Sequence, residues 1–158
     1  MIKNEILKKN IHKQGIKTLS PVQKESIPAF KKGHNLLVLA ETGSGKTASF
    51  LWPMLEKLPK LALIIAPTRE LTHQIKEVGE AFSEGMDVSF HIMHGQQNAA
   101  EQVNNYQNAS SESKFIIATP GRLLDLLLQN KLSMDRCEFL ILDEVDELLD
   151  RGFLDEII

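Results

Sequence analysis

The sequence predicts an α/β fold in which a parallel sheet is sandwiched by helices, and three observations carry that prediction. Short apolar runs at residues 35–39, 61–66, 88–93, 114–118 and 139–142 alternate with stretches whose apolar residues recur at helical spacing. A glycine-rich octapeptide, Ala40-Glu41-Thr42-Gly43-Ser44-Gly45-Lys46-Thr47, joins the first run to a helical pattern. The segments after the runs are polar and turn-forming. Parallel neighbours need helical crossovers, so this alternation is what a parallel sheet requires.

In chain order, residues 4–13 form a short amphipathic helix with Ile6, Leu7 and Ile11 on one side. Ser20 is placed to cap the next helix, Pro21 suits its first position, and Gln23 completes an S-x-x-Q capping box, which by itself accounts for Gln23. Pro28 should end or kink that helix. After the glycine-rich loop, Phe50, Leu51, Met54, Leu55 and Leu58 mark a helix. Residues 61–66 read as a strand buried on both faces. Leu71, Ile75, Val78 and Phe82 mark the core side of the helix after it, which Gly85 closes. A strand at 88–93, a turn at His94 to Gln97 and a helix carrying Ala99, Val103 and Tyr106 come next. The strand 114–118 leads to a helix with Leu123, Leu124 and Leu127 inward. The run 139–142 is a buried strand that delivers Asp143-Glu144-Val145-Asp146.

Composition excludes several classes. The chain has 158 residues, 42% hydrophobic and 25% charged, which suits one soluble domain with a sizeable core. The single cysteine, Cys137, cannot form an internal disulfide, and no cysteine–histidine cluster has metal spacing. His91 and His94, three apart in a strand, point to opposite faces and should not chelate. No run approaches membrane-spanning length and the start lacks a signal core, so a cytoplasmic protein with no membrane partner is expected. The net charge of -3 argues against a globally basic nucleic-acid binder. Lys3, Lys8, Lys9, Lys13, Lys17, Lys24, Lys31 and Lys32 crowd the beginning, and read as a solvated helix face.

Chemistry gathers at one edge. In a parallel sheet the segments after the strands all lie along the carboxyl edge, where ligands bind in open α/β folds. Ala40 to Thr47 fits the phosphate-loop pattern with alanine in the first position. Backbone N–H groups of Thr42, Gly43, Ser44 and Gly45 would cradle phosphates, Lys46 would place a charge on the outer ones, and the Thr47 hydroxyl would ligate Mg²⁺. An apolar strand ending in Asp143-Glu144 complements such a loop. Asp143 is assigned to the metal and Glu144 to activating the attacking water, although the same acidic residues also suit a helix start. Pro67-Thr68-Arg69 and Thr119-Pro120-Gly121-Arg122 are threonine-capped helix starts carrying an arginine. Together they suggest a path for a second phosphate chain, such as a nucleic-acid backbone.

These segments resemble the DEAD-box ATP-dependent RNA helicases. Ala40 to Thr47 looks like motif I, Pro67 to Leu71 like motif Ia, Thr119 to Arg122 like motif Ib and Asp143 to Asp146 like motif II, and Leu148 to Phe153 resembles the family's stretch just after motif II. The resemblance implies an N-terminal RecA-like P-loop NTPase domain that binds ATP and Mg²⁺. It implies that Gln23 reads the adenine edge, and that Pro67, Thr68, Arg69, Gly95, Thr119, Pro120, Gly121 and Arg122 line a track for single-stranded or short duplex RNA. Asp146 would couple nucleotide state to RNA. Residues 1–33 would be the glutamine-motif region and 34–158 the phosphate-loop core. Nothing resembles a second RecA-like domain, so the chain is expected to be a C-terminally incomplete first domain that turns over ATP poorly alone.

The sequence departs from the family pattern at four places: the upstream aromatic would fall before Met1, Leu19 stands for proline, Gly95-Gln96 for a glycine pair, and Val145 for alanine. Two other readings fit the same residues. One is a nucleotide- or RNA-binding module without turnover, and the other is a different P-loop NTPase, for which loss of adenine preference would speak.

Overall fold

The computed structural model describes residues 2–38, 45–150 and 152. It contains the elements α1 (Glu5–Lys13), α2 (Pro21–Lys31), α3 (Lys46–Lys57), β1 (Leu61–Ile65), α4 (Arg69–Ser83), β2 (Val88–Met93), α5 (Ala99–Asn108), β3 (Ser113–Ala118), α6 (Pro120–Leu128), β4 (Cys137–Leu142) and α7 (Val145–Asp150). They divide into two compact units, one of Met1–Leu58 with Ala81–Met86, the other of Pro59–Glu80 with Asp87–Ile158.

In the first unit α3 packs against α1 and α2. Leu7, Asn10 and Ile11 form the buried stripe of α1, while Ile6 is 44% exposed. Asn10 holds a core position because its Nδ2 donates to the carbonyls of Phe82 (2.7 Å) and Glu84 (2.8 Å), oxygens at the end of α4 that lack helical donors. Trp52 is fully buried and meets Phe82 edge-on at 5.4 Å between centroids. α2 runs three residues past Pro28, so the proline does not end the helix. The proline forfeits one helical bond, but packing on α3 and burial of Ile27 (1% exposed) hold the helix together around it. Leu58, last of the expected helical residues, lies just past the end of α3. It caps α3 in the left-handed region (φ 48°), 39% exposed, before Pro59, which disfavours continued helix.

Residues 34–38 adopt no strand, and Leu37 is 74% exposed, so the strand expected at 35–39 is absent from its described part; residue 39 lies outside the described residues. A strand exists only through its ladder partners, and an apolar run cannot show whether one is supplied.

In the second unit four parallel strands lie in the order β2-β3-β1-β4. Leu61, Leu63 and Ile65 of β1, Met93 of β2, and Ile116 and Ala118 of β3 pack with Val103 of α5, Leu123 and Leu126 of α6 and Leu148 of α7. On α6 the buried pair is Leu123 and Leu126, whereas Leu124 and Leu127 are only half-buried. The opposite face carries Ile64, Phe90, Phe115 and Ile117, and α4 lies against it so closely that a Cβ on Gly79 would come 2.6 Å from the Phe90 ring. The expected parallel sheet flanked by helices is thus observed. β4 differs from its predicted burial: Leu140 is 54% exposed. It is an edge strand paired only with β1 among the described residues, with an irregularity in the register between Leu61 and Ala62.

His91 and His94 do have separate surroundings. His91 hydrogen-bonds the Ser89 hydroxyl (Nε2, 2.7 Å) and stands edge-on to Tyr106. Burial, aided by Lys114 and Lys76, lowers its pKa from 6.5 to about 4. The unfolded chain therefore binds the proton that the folded chain refuses, and stability falls as pH drops from 6.5 towards 4. Allowing for partial solvent screening, the loss should be about 1–2 kcal/mol, and His91→Gln should remove it from urea-unfolding curves measured across that range.

Candidate functional site

The first unit brings Gln23 to the end of the glycine-rich loop. The predicted capping box forms: Gln23 N–H donates to Ser20 Oγ (3.4 Å) and Ser20 N–H to Gln23 Oε1 (2.9 Å). The other end of the same amide, Nε2, donates to the Gly45 carbonyl at 3.3 Å. Gly45 has φ 90°, and a Cβ there would lie 2.5 Å from Gln23 Nε2, so both backbone and space demand glycine. Directly after it Lys46 and Thr47 open α3, whose first N–H groups have no side-chain cap. Thr42, Gly43 and Ser44 lie outside the described residues.

In the second unit the strand exits are tied together by an extension of the ladder. Ala66 N–H donates to Ala118 O (3.0 Å), Thr119 N–H to Met93 O (3.0 Å) and Asp143 N–H to Ile65 O (2.9 Å). Parallel strands of matched register end level, so the segments 66–69, 94–97, 119–122 and 143–146 share one edge. Thr68 caps α4 by accepting from Leu71 N–H (3.2 Å), with Pro67 buried behind it and Arg69 exposed. Thr119 is the N-cap of α6 but its hydroxyl makes no capping bond, contrary to expectation. Pro120 at the first helical position presets the turn, and the Thr119 N–H is already engaged in the ladder. Gly121 is exposed, with nothing near its Cα that a Cβ would meet.

Glu144 comes after β4 in the left-handed region, φ 53°, a conformation rare for a non-glycine residue. Its N–H donates to Asp143 Oδ1 (3.0 Å) and its carbonyl accepts from Leu148 N–H (3.0 Å), so the acute turn is held at both ends. Stored strain of this sort concentrates at functional sites. Asp146 is exposed in the first turn of α7.

Three partners are not evident from residue spacing. Arg122 Nη1 donates to Gln97 O (3.0 Å) and Gln102 Oε1 (2.9 Å), and Gln102 Nε2 donates to His94 O (3.2 Å) and Gln97 Oε1 (3.0 Å). Gln102 thereby joins the exits of β2 and β3. Nothing marks it among the asparagines and glutamines of α5 until its burial (6% exposed) is seen. His94, 2% exposed, meets His73 of α4. Burial, His73, Arg69 and Arg122 together push the His94 imidazole below its usual range.

Comparison with known proteins agrees with this geometry. A family model described as DEAD/DEAH box helicase matches residues 20–158. The chain is 38% identical to a probable ATP-dependent RNA helicase of Pelophylax lessonae, aligning over 96% of this chain and 22% of that one. It is 41% identical to an ATP-dependent rRNA helicase of Aspergillus niger, over 91% and 32%. The crystal structure of a hypothetical ATP-dependent RNA helicase from Sulfolobus tokodaii superposes with a TM-score of 0.90 at 37% identity, over 98% of this chain and 45% of that one. The chain spans 16% to 32% of the length of the curated relatives it matches. Since the family match takes in Gln23, the four strands and every edge segment described above, the chain belongs to the DEAD/DEAH box helicase family.

Proposed function

We propose that this chain is the ATP-binding first RecA-like domain of an ATP-dependent RNA helicase, with residues 1–33 as its glutamine-motif region and 34–158 as its phosphate-loop core. The observation that carries the reading is the Gln23 amide, which caps α2 with its oxygen and holds the Gly45 carbonyl with its nitrogen. A base-reading residue joined to the phosphate loop is what an adenine sensor requires. The joint also leaves one Oε1 lone pair and one Nε2 hydrogen for the adenine edge.

Lys46 takes the outer phosphates, and Thr42, Gly43, Ser44 and Gly45 supply backbone donors to the rest. Thr47 and Asp143 each offer an oxygen suited to Mg²⁺, a hard cation that takes few protein ligands and keeps several waters. When bound, the ion would draw charge from the transferring phosphate, and Glu144 would orient and deprotonate the attacking water. Pro67, Thr68, Arg69, Gly95, Thr119, Pro120, Gly121 and Arg122 hold single-stranded or short duplex RNA by its backbone, and Asp146 couples the two ligands. A second RecA-like domain is the partner, in keeping with the greater length of the relatives. Among the described residues no helix is long and apolar enough to cross a membrane. We place the protein in the cytoplasm.

Equilibrium titration of the chain with ADP and GDP in the presence of Mg²⁺ tests this reading. ADP should bind about tenfold more tightly, and Gln23→Ala should abolish the difference. Gln23→Glu keeps the acceptor for Ser20 N–H, so it should retain the cap yet lose the preference. Equal binding of both nucleotides by the unaltered chain, or a preference that survives both substitutions, would remove Gln23 as the adenine sensor and move a general P-loop NTPase ahead.

A further inference from the structure

The imidazoles of His73, on α4, and His94, at the exit of β2, meet with their Nε2 atoms 3.2 Å apart and their ring planes at 61°. His94 is buried, and His73 lies on the exposed side of α4. A third contact decides which nitrogen carries each proton. Gln96 N–H donates to His94 Nδ1 at 3.2 Å. A nitrogen that accepts bears no proton, so neutral His94 carries its hydrogen on Nε2 and donates it to His73 Nε2. His73 Nε2 is then the acceptor, and the neutral ring of His73 holds its own hydrogen on Nδ1.

That Nδ1–H has no protein acceptor among the described residues. It is a donor oriented by a buried neighbour and left for something outside the fold. The same contact argues against a metal clamp, because a cation on His94 Nε2 would force a proton onto Nδ1 against the Gln96 N–H. The charges around the pair are mixed: Arg69 lies four residues before His73 on the same face of α4 and, with Arg122, acts electrostatically on His94, while the Glu70 carboxylate, bonded to Arg69 Nη2 at 3.3 Å, acts on both imidazoles in the opposite sense. A spare Nδ1–H beside Arg69 on the strand-exit edge calls for an acceptor oxygen, and on the reading of that edge as an RNA track the phosphates supply it.

We propose that His73 is a further contact for the RNA backbone, its Nδ1–H donating to a phosphate oxygen about one helical turn along from the phosphate held by Arg69, with His94 as the positioning residue that sets the His73 tautomer. This rests on the reading of the strand-exit edge as an RNA track. His73 adds a neutral, directional donor to a track otherwise gripped by guanidinium charge. It therefore contributes affinity without adding to the count of displaced counterions.

The test is fluorescence anisotropy of a labelled oligouridylate with the full-length protein, a non-hydrolysable ATP analogue and Mg²⁺, at about pH 8, above the usual imidazole range. His73→Ala should weaken binding about 3–10-fold with an unchanged salt slope, while Arg69→Ala should weaken it and lower the slope by about 1. His94→Phe keeps a ring beside His73 but cannot donate, and should weaken binding by about half as much on a logarithmic scale. Long-range ¹H–¹⁵N spectra of the unaltered protein should show His73 in the Nδ1–H form and His94 in the Nε2–H form. Wild-type affinity in His73→Ala beside weakened Arg69→Ala would overturn this proposal alone. Wild-type affinity in both would overturn the reading of the edge beneath it. The opposite tautomer at His73 would overturn the proposal whatever the variants do.

Discussion

On the proposed function, replacing Glu144 by glutamine is expected to lower RNA-stimulated ATP turnover by about 10²–10⁴-fold and to leave ADP affinity near its original value. Glutamine matches glutamate in size and tolerates φ 53° no worse. The bonds that hold the turn, from Glu144 N–H to Asp143 Oδ1 and from Leu148 N–H to Glu144 O, use only the backbone of residue 144. The substitution thus removes the basic oxygen and little else. Single-turnover hydrolysis of labelled ATP, run beside titration with a fluorescent ADP, separates the two effects. Turnover within threefold of the original would take the role of base away from Glu144. A joint collapse of turnover and ADP affinity would point to nucleotide binding instead.

Phe115→Ala should cost about 3–5 kcal/mol in urea unfolding. Phe115 is fully buried on β3, which has β1 on one side and β2 on the other, and its ring lies 5.0 Å from that of Phe90. Neighbours fixed in two ladders cannot collapse into the space left behind, so the cavity penalty adds to the lost transfer energy. Leu140→Ala on β4, where the side chain is 54% exposed, should cost less than about 1 kcal/mol. Similar losses at the two positions would contradict the layered core, because they would mean that edge and centre are equally packed.

Periodicity located β1, β2, β3 and α3 to α6 to within a few residues, because burial on a sheet or a helix face leaves an alternation that the chain itself displays. It failed where an element depends on what lies beside it. Leu36, Leu37 and Val38 are as apolar as β1 but adopt no strand, and β4 is far more open than its composition suggests. Pro28 reads as an end or a kink from its missing N–H, yet α2 continues past it, held by packing on α3. Local capping chemistry was legible at Ser20, whose partner is three residues away, and misleading at Thr119, which occupies the same N-cap position without a capping bond from its hydroxyl.

The sequence by itself determined the family, the order of the segments at the strand exits, and the chemical types offered there: two arginines and two adjacent carboxylates. These are properties of covalent order and of short-range spacing, and they survive in a string of letters. Only the tertiary structure decided that Gln23 holds the Gly45 carbonyl, that Glu144 turns through the left-handed region, that Gln102 ties Arg122 to the exit of β2, and that His94 meets His73 through their Nε2 atoms. Each of these is a direction in space between groups distant in sequence or a dihedral that no residue type demands. Hydrogen bonds are short and angular, so their partners are settled by packing of the whole fold and by nothing nearer.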